Sequence, residues 1–416
     1  MAKNNTTPET TSSLVVKEKF NLRKFLVSWE MMLIYILILI NLVLAIARPG
    51  LYFNISTIQS IIESGFDLSP MVMGMMLVLL LGDIDVSIAS IMVISGMTTG
   101  LMCQNGLPEI LAVICGVLTG VVCGAFNGFL VGYIKMPAVI VTISTSMLFR
   151  GIVEIILDVN SLKVFPSFYN AIGWRTWGIF PICMVLYTII AVIFYFLLHR
   201  STFGRKLYIV GNNPTTAVYS GINVERTKLI VFIIMGLMAG IGSIFYVGRM
   251  GGGLSSSMGT GYEMDCIVIC VLGGVSTSGG RGKVYGPYIA TYIMAFLLYA
   301  LGLMGIDANT RKIVTGVILL IAVLLPNVNK QLIADFKLKL VYASSKNIEA
   351  LNIHTQEEIK ATKAEIKALK AQGGQDEQIK KLEAKIDSLK KTCKEKTAQM
   401  KAEKKAEDAR NKSKLA

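Results

Sequence analysis

Charge is what this sequence of 416 residues has least of. Asp, Glu, Lys and Arg together make up 16% of it, where soluble domains carry about a quarter. Histidine is nearly absent, with only His199 and His354, which argues against His-centred nucleophilic catalysis and imidazole-built metal centres. The seven cysteines form no CxxC pair. Cys103, Cys115, Cys123, Cys183, Cys266 and Cys270 lie in or beside apolar runs and read as small packing residues, while Cys393 lies in the C-terminal tail. Cys266 and Cys270 stand one helical turn apart, with no histidine or third cysteine close enough to complete a metal set. A phosphate-binding loop is missing as well. Gly279–Val284 reads GGRGKV, but a P-loop needs a glycine five residues before its Gly-Lys and Ser or Thr after it. Those positions hold Thr277 and Val284, so the stretch reads as a glycine-rich turn. No catalytic set, metal site or cofactor is expected, and any ATP hydrolysis must come from another polypeptide.

Long apolar runs are what is there. Apolar residues make up 53% of the chain and the mean hydropathy is +0.59. Met31–Ala47 and Pro181–Leu198 contain no charge at all. At about 1.5 Å per residue, runs of this length cross roughly 30 Å of hydrocarbon. A soluble core helix shows a polar face, and these show none. The first run begins after a polar leader and is followed by no small-residue cleavage pattern, so it is expected to be a permanent helix rather than a signal peptide. The fold class is therefore all-α, a polytopic membrane protein. Ten helical segments are expected, at 30–47, 56–81, 86–103, 109–133, 137–157, 178–198, 228–249, 264–275, 284–304 and 311–326. Glu63, Asp67 and Pro70 interrupt the second, and the eighth is short.

Basic residues set the orientation. Lys17, Lys19, Arg23 and Lys24 precede the first run, Lys135 follows the fourth, Arg200, Arg205, Lys206, Arg226 and Lys228 lie between the sixth and seventh, and Arg281 and Lys283 follow the eighth. All fall on one side if both termini are cytoplasmic and the helix count is even. Arg249, Arg311 and Lys312 sit at the opposite ends and weaken the pattern.

Three regions follow: a cytoplasmic leader at 1–29, a transmembrane domain at 30–327 and a Lys-rich cytoplasmic tail at 328–416. From Lys330 onward there are 21 basic and 13 acidic residues, more than half of the chain's net charge of +14. Ile379, Leu382, Ile386, Leu389 and Cys393 form a heptad seam, and Ile359, Ile366 and Leu369 a shorter one, with Gly373-Gly374 between. Each seam needs a partner, so a helical hairpin is expected, with self-association in trans as the rival. The lysine-rich outer faces are either solvated or in contact with anionic lipid. Nucleic-acid binding is not expected, because the tail lacks aromatics for stacking.

Two stretches carry candidate function. Gly82–Ser90 reads GDIDVSIAS and puts Asp83 and Asp85 between apolar runs, where charge is costly and often functional. Asp85 either caps the following helix or takes part in a transport path, and the two roles are compatible. His199–Lys228 is a polar connector of mixed composition. Asn212-Asn213-Pro214 reads as a helix start and Gly221 as its end. A short capped helix there suits docking on a cytoplasmic partner, and an ordinary amphipathic loop is the alternative.

This connector resembles the coupling region of permeases from the carbohydrate-uptake branch of ATP-binding-cassette importers, the ribose, xylose, rhamnose and autoinducer-2 group. The matching residues are Phe203-Gly204-Arg205, Tyr208, Gly211-Asn212-Asn213, Ala217, Ser220-Gly221-Ile222, Val224, Arg226, Lys228 and Phe232. Gly82-Asp83-Ile84-Asp85-Val86-Ser87 is similar to the family's GGID(L/V)S motif, with Asp83 in place of its second glycine. Phe126–Thr145, which contains Asn127 and Gly128, and Gly261–Gly282 are similar to two further family blocks. The resemblance runs from Trp29 to Asn327 and leaves the tail outside.

The resemblance implies a vitamin-importer-like type II fold of about ten helices, working as a homo- or heterodimer in the bacterial inner membrane. A cytoplasmic ABC ATPase would dock on Asn212, Asn213, Pro214, Ala217, Ser220, Gly221 and Ile222, and an extracytoplasmic sugar-binding protein would dock on the far side. Gly82, Asp83, Asp85, Ser87, Asn127 and Gly128 are the motif residues assigned to the translocation path. The acidic residue in GDIDVSIAS and the FNGFLV run lean toward rhamnose-type or autoinducer-2-type cargo. A branched-chain amino-acid permease and an ion-coupled secondary transporter using Asp83 or Asp85 are the competing readings.

Overall fold

The computed structural model describes residues 29–47, 50, 54–158, 160–327, 355–366 and 376–413. The basic leader, Leu369 and the Gly373-Gly374 break lie outside the described residues. The chain divides into two compact units between Val323 and Leu324.

Helices fall where the apolar runs require them. In order they are α1 (Trp29–Ala47), α2 (Ile55–Gly65), α3 (Ser69–Leu80), α4 (Ile88–Gln104), α5 (Glu109–Gly132), α6 (Ala138–Leu157), α7 (Ser167–Trp174), α8 (Ile182–His199), α9 (Thr202–Asn212), α10 (Pro214–Tyr219), α11 (Val224–Arg249), α12 (Tyr262–Leu272), α13 (Tyr285–Leu303) and α14 (Ala308–Asn327). A two-stranded hairpin, β1 (Thr176–Trp177) with β2 (Phe180–Pro181), separates α7 from α8. Four helices begin just after a proline, at Pro108, Pro137, Pro166 and Pro181, each with extended ψ. Proline's fixed φ and missing N–H suit it to a helix start, where no intrahelical donor is lost.

The expected single helix over 56–81 is two helices bent by 45°. Pro70 lies in the first turn of α3, and the Ser69 hydroxyl donates to Phe66 O at 2.6 Å, so the chain turns at Phe66–Leu68. The eighth segment, α12, has 11 residues and is about 16 Å long, half of a hydrocarbon core. Among the described residues, five helices are long and apolar enough to cross a membrane, or six if the bent pair counts as one span. The apolar part of α1, Met31–Ile46, and α4 are shorter. Breaks and half-length helices thus separate the ten expected segments from ten full spans.

All twelve residues of α3 are buried, so it is the inner helix of the bundle. α11 packs on α3, α4, α5 and α7. The outer helices bury one stripe and expose apolar residues on the other, as with Ile140, Met147 and Ile155 on α6 and Ile189, Val192 and Phe196 on α8. Water does not tolerate such continuous apolar faces, and hydrocarbon does.

The contact between α5 and α11 is built from glycine. Gly116, Gly120, Gly124, Gly128 and Gly132 recur every fourth residue along α5. A methyl group at Gly120 would stand 2.5 Å from Gly236 O, one at Gly124 would stand 2.9 Å from Gly236 Cα, and one at Gly128 would stand 3.0 Å from Leu229 Cα. Between helices in lipid, small residues allow the backbone approach that gives dispersion contact.

In the second unit, residues 355–366 form α15 and Asp376–Ser413 form α16. Ile366, Ile379 and Ile386 are buried together, with Ile359 and Leu382 packed against them.

Replacing Gly124 with Val should destabilise the bundle by roughly 1–3 kcal/mol through overpacking, read as a lower melting temperature in detergent. Gly151, which has no neighbouring atom within 4 Å of an added Cβ, should accept Ala with no loss. Equal behaviour of the two variants would remove the seam from the stability argument.

Candidate functional site

Three loops meet at one end of the bundle. The first joins α3 to α4. Gly82 takes φ +81°, which lets Gly82 N reach Leu79 O at 2.9 Å and Asp83 N reach Val78 O at 3.2 Å. This glycine-dependent close of a helix satisfies its last carbonyls. Asp83 Oδ2 then lies 2.7 Å from Lys228 Nζ of α11, with side chains only 15% and 20% exposed. Neither charge could be left alone at that depth without a large desolvation cost.

Asp85 and Ser87 in this loop are fully buried. Asp85 Oδ1 accepts from Ser87 N at 2.7 Å and from Ser87 Oγ at 2.6 Å. Asn127 Nδ2, from α5, donates to Ser87 Oγ at 2.8 Å. Thr142 Oγ1, from α6, donates to Ile84 O at 3.3 Å. Burial pushes the Asp85 carboxyl up to about 6, against the two Ser87 hydrogen bonds that hold it down. The helix starts at Ile88 with Ser87 as its cap residue, two residues later than expected. Asp85 therefore fixes the residue before the helix instead of bonding an amide inside it. Gly128 is a packing residue, set against Leu229 and Phe232.

The second loop carries α10. Asn213 Oδ1 accepts from Thr216 N at 3.1 Å, Pro214 opens the helix, and Gly221 at φ +72° closes it. Gly221 N donates to Val218 O and Ile222 N to Ala217 O, both at 3.0 Å. Asn223 caps the next helix, its Oδ1 accepting from Arg226 N at 2.6 Å. Ala217 is fully buried and Ile222 half-buried, whereas Asn212, Asn213, Pro214, Ser220 and Gly221 are exposed. The outermost side chain of α10 is Tyr219, 88% exposed. Ala217 is thus an inward anchor, and Val218 and Tyr219 form the exposed apolar face of α10.

The third loop is the glycine-rich stretch after α12. Gly280 N donates to Leu80 O at 2.9 Å, and Tyr208 OH of α9 donates to Gly282 O at 2.7 Å. A methyl group on Gly279 would stand 2.5 Å from Gly211 O and 2.8 Å from Gly82 N. Gly211 itself lies against Leu80 O and Gly280 N. Backbone from the three loops is in direct contact, and only glycine fits there. Nothing in the local pattern of GGRGKV indicates this role. The signal is the recurrence of glycine in three blocks distant in sequence.

A groove of about 580 Å³ runs beside α10, lined by Asp83, Lys135, Pro137, Pro214, Tyr219 and Lys228 among others. Lys135 Nζ and Glu225 Oε1 pair across it at 3.4 Å. At the break between α2 and α3, Tyr262 OH of α12 donates to Asp67 Oδ2 at 2.7 Å. Half-helix ends meeting inside a bundle are a recurrent way to place polar groups at membrane depth. Among the described residues, no group of His, Cys, Asp and Glu could hold a metal ion.

Residues 57–323 match the family described as branched-chain amino acid transport system / permease component. The ribose import permease protein of Escherichia coli (strain K12) is 31% identical over 313 residues, which is 73% of this chain and 96% of that one. The L-arabinose transport system permease protein of the same organism is 34% identical over 251 residues, 60% of this chain and 76% of that one. The autoinducer 2 import system permease protein of Escherichia coli (strain SMS-3-5 / SECEC) is 31% identical over 297 residues, 68% and 83% of the two chains. No solved structure matches.

Asp83→Asn, Lys228→Met and the double variant form a thermodynamic cycle. Paired groups in contact give coupling energies of about 0.5–3 kcal/mol, so the double variant should melt above the sum of the single losses. Strict additivity would mean that the pair contributes nothing.

Proposed function

Because the chain belongs to the branched-chain amino acid transport system / permease component family, we propose that it is the membrane-spanning permease subunit of an ATP-driven importer for a monosaccharide or related small sugar. One observation carries the reading. The match to a ribose import permease covers 73% of this chain and 96% of that relative, so the likeness takes in the whole transport body. The family's description names amino acids, but the relatives quoted above are named for ribose, L-arabinose and autoinducer 2, and sugar is the better-supported cargo. The GDIDVSIAS and FNGFLV blocks lean toward rhamnose-type or autoinducer-2-type cargo. The ribose and autoinducer 2 permeases are equally similar, at 31%, so the assignment stays at a small sugar.

In this reading about ten helices cross the bilayer wholly or in part, and both termini are cytoplasmic, as the Lys and Arg distribution favours. A separate ABC ATPase docks from the cytoplasm on α10, an extracytoplasmic binding protein delivers the sugar, and a second permease copy or paralogue completes the path. The tail is a cytoplasmic helical hairpin whose paired seams steady the assembly. The chain's own part is mechanical. Movement of α10 passes through the Gly211–Gly280–Leu80 contact to the Gly82–Ser87 loop, and through that loop to α3, α4 and α5. The Asp83–Lys228 pair holds the loop to α11 while this happens. Asp83 is paired with Lys228, and Asp85 holds Ser87 through Oδ1 while its Oδ2 is buried without a hydrogen-bond partner.

Purification in mild detergent from the native host should yield an ATPase with two nucleotide-binding cassettes, or two copies of one. Uptake should stop on ATP depletion. Uptake that survives depletion and collapses with an ionophore would refute the importer reading. Tyr219→Asp should sharply lower uptake while leaving the melting temperature unchanged, because the side chain touches little of its own protein. Ala217→Glu should lower both by burying a charge. Normal uptake by the Tyr219 variant would move the docking surface away from α10.

A further inference from the structure

The β1–β2 hairpin has a tip without charge. Thr176 faces Pro181 and Trp177 faces Phe180 across an antiparallel pair, and Ile182 N closes on Arg175 O at 3.0 Å. The hairpin is held to the body at its tip and just before its first strand. Gln59 Nε2 of α2 donates to Ile179 O at 3.0 Å, and the Arg249 guanidinium sits 4.1 Å from the ring centroid of Trp174, just before the hairpin. Fixed in this way, the hairpin holds out Trp177 at 74%, Ile179 at 63% and Phe180 at 55% exposure. Three adjacent large apolar side chains in water forfeit several kcal/mol of burial, at roughly 1.5–3 kcal/mol each.

The course of the chain says what covers them. α8 begins at Ile182, directly after β2, and is uncharged through Leu198. Its exposed Ile189, Val192, Ile193 and Phe196 face hydrocarbon if α8 spans, as its length and hydropathy allow. The hairpin tip then stands at the end where α8 enters the bilayer, about two helical turns before the exposed face that begins at Ile189. Aromatic rings suit this level, with the apolar body in the acyl boundary and the indole N–H among headgroups and water.

We propose that Thr176–Pro181 is an interfacial anchor that seats on the phospholipid surface, at the end of α8 opposite the α9–α10 segment. Through Gln59 and the Arg249–Trp174 contact, the anchor ties α2, α7 and the end of α11 to the bilayer plane. The proposal requires that α8 spans the membrane and does not depend on the cargo.

The full chain is reconstituted in phosphatidylcholine vesicles, plain or brominated at the sixth and seventh acyl carbons. The protein has three tryptophans, and the difference between wild type and Trp177→Phe isolates the Trp177 emission. In brominated vesicles most of that emission should be lost, while acrylamide in the water should quench it little. In Phe180→Lys, which keeps Trp177 as reporter and removes apolar surface from the tip, bromine quenching should fall and acrylamide quenching should rise. Emission that ignores bromine and is quenched by acrylamide overturns the proposal. Emission that ignores bromine and shifts only on adding an extracytoplasmic binding protein also overturns it, and makes the hairpin a protein-docking surface.

Discussion

The close approach of α5 to α11 is the constraint on which the rest depends. In hydrocarbon, helices gain nothing by hiding apolar side chains from one another, so contact must come from backbone proximity and dispersion. The glycines of α5 supply it from Gly120 to Gly132, and Gly236 answers from α11. The same seam positions the polar site. Asn127 stands beside Gly128 and reaches Ser87. Lys228 stands beside Leu229, whose Cα lies against Gly128, and reaches Asp83. A shift in the seam would therefore move both side chains that secure the loop between α3 and α4. Stability and site geometry rest on one row of missing side chains.

A second glycine set does a different job. Gly82, Gly211, Gly279 and Gly280 join three loops through backbone atoms. Backbone contact at this range leaves no flexible side chain to absorb displacement, so force on one loop is passed to the others. α10 has only six residues and could not be stable alone. It is held by Asn213 at its start, Gly221 at its end and Ala217 beneath it. A helix mounted in this way moves as part of its support.

The sequence made the helices legible because uncharged runs have few alternatives at that length. Local chemistry was legible as well. Asn213, Pro214 and Gly221 cap α10 as their residue types dictate. What could not be read was what depends on contact between distant segments. No local pattern pairs Asp83 with Lys228 or places Gly279 on Gly211. The bend at Phe66–Leu68 lay behind Asp67 and Pro70, but their presence alone does not say whether a helix kinks or ends. Ala217 was assigned to a partner surface because six residues carry too little periodicity to show which face is buried. The glycine repeat on α5 was open to view, but it acquires meaning only when a second helix is known to lie against it.

Asp83 and Asp85 show why a charge near membrane depth is ambiguous in sequence. One is neutralised by a lysine from another helix, and the other is held by the backbone and hydroxyl of its own loop. Asp83 therefore links the loop outward to α11, and Asp85 keeps the loop's internal shape. The acidic residue that replaces a glycine in the resembled motif is the one making the long-range link. Loss of the Asp83 carboxylate would therefore be felt first at Lys228. Without the carboxylate, that lysine would face a half-buried groove with no counter-charge from the loop, and the cost of desolvating it would favour a different arrangement at the start of α11.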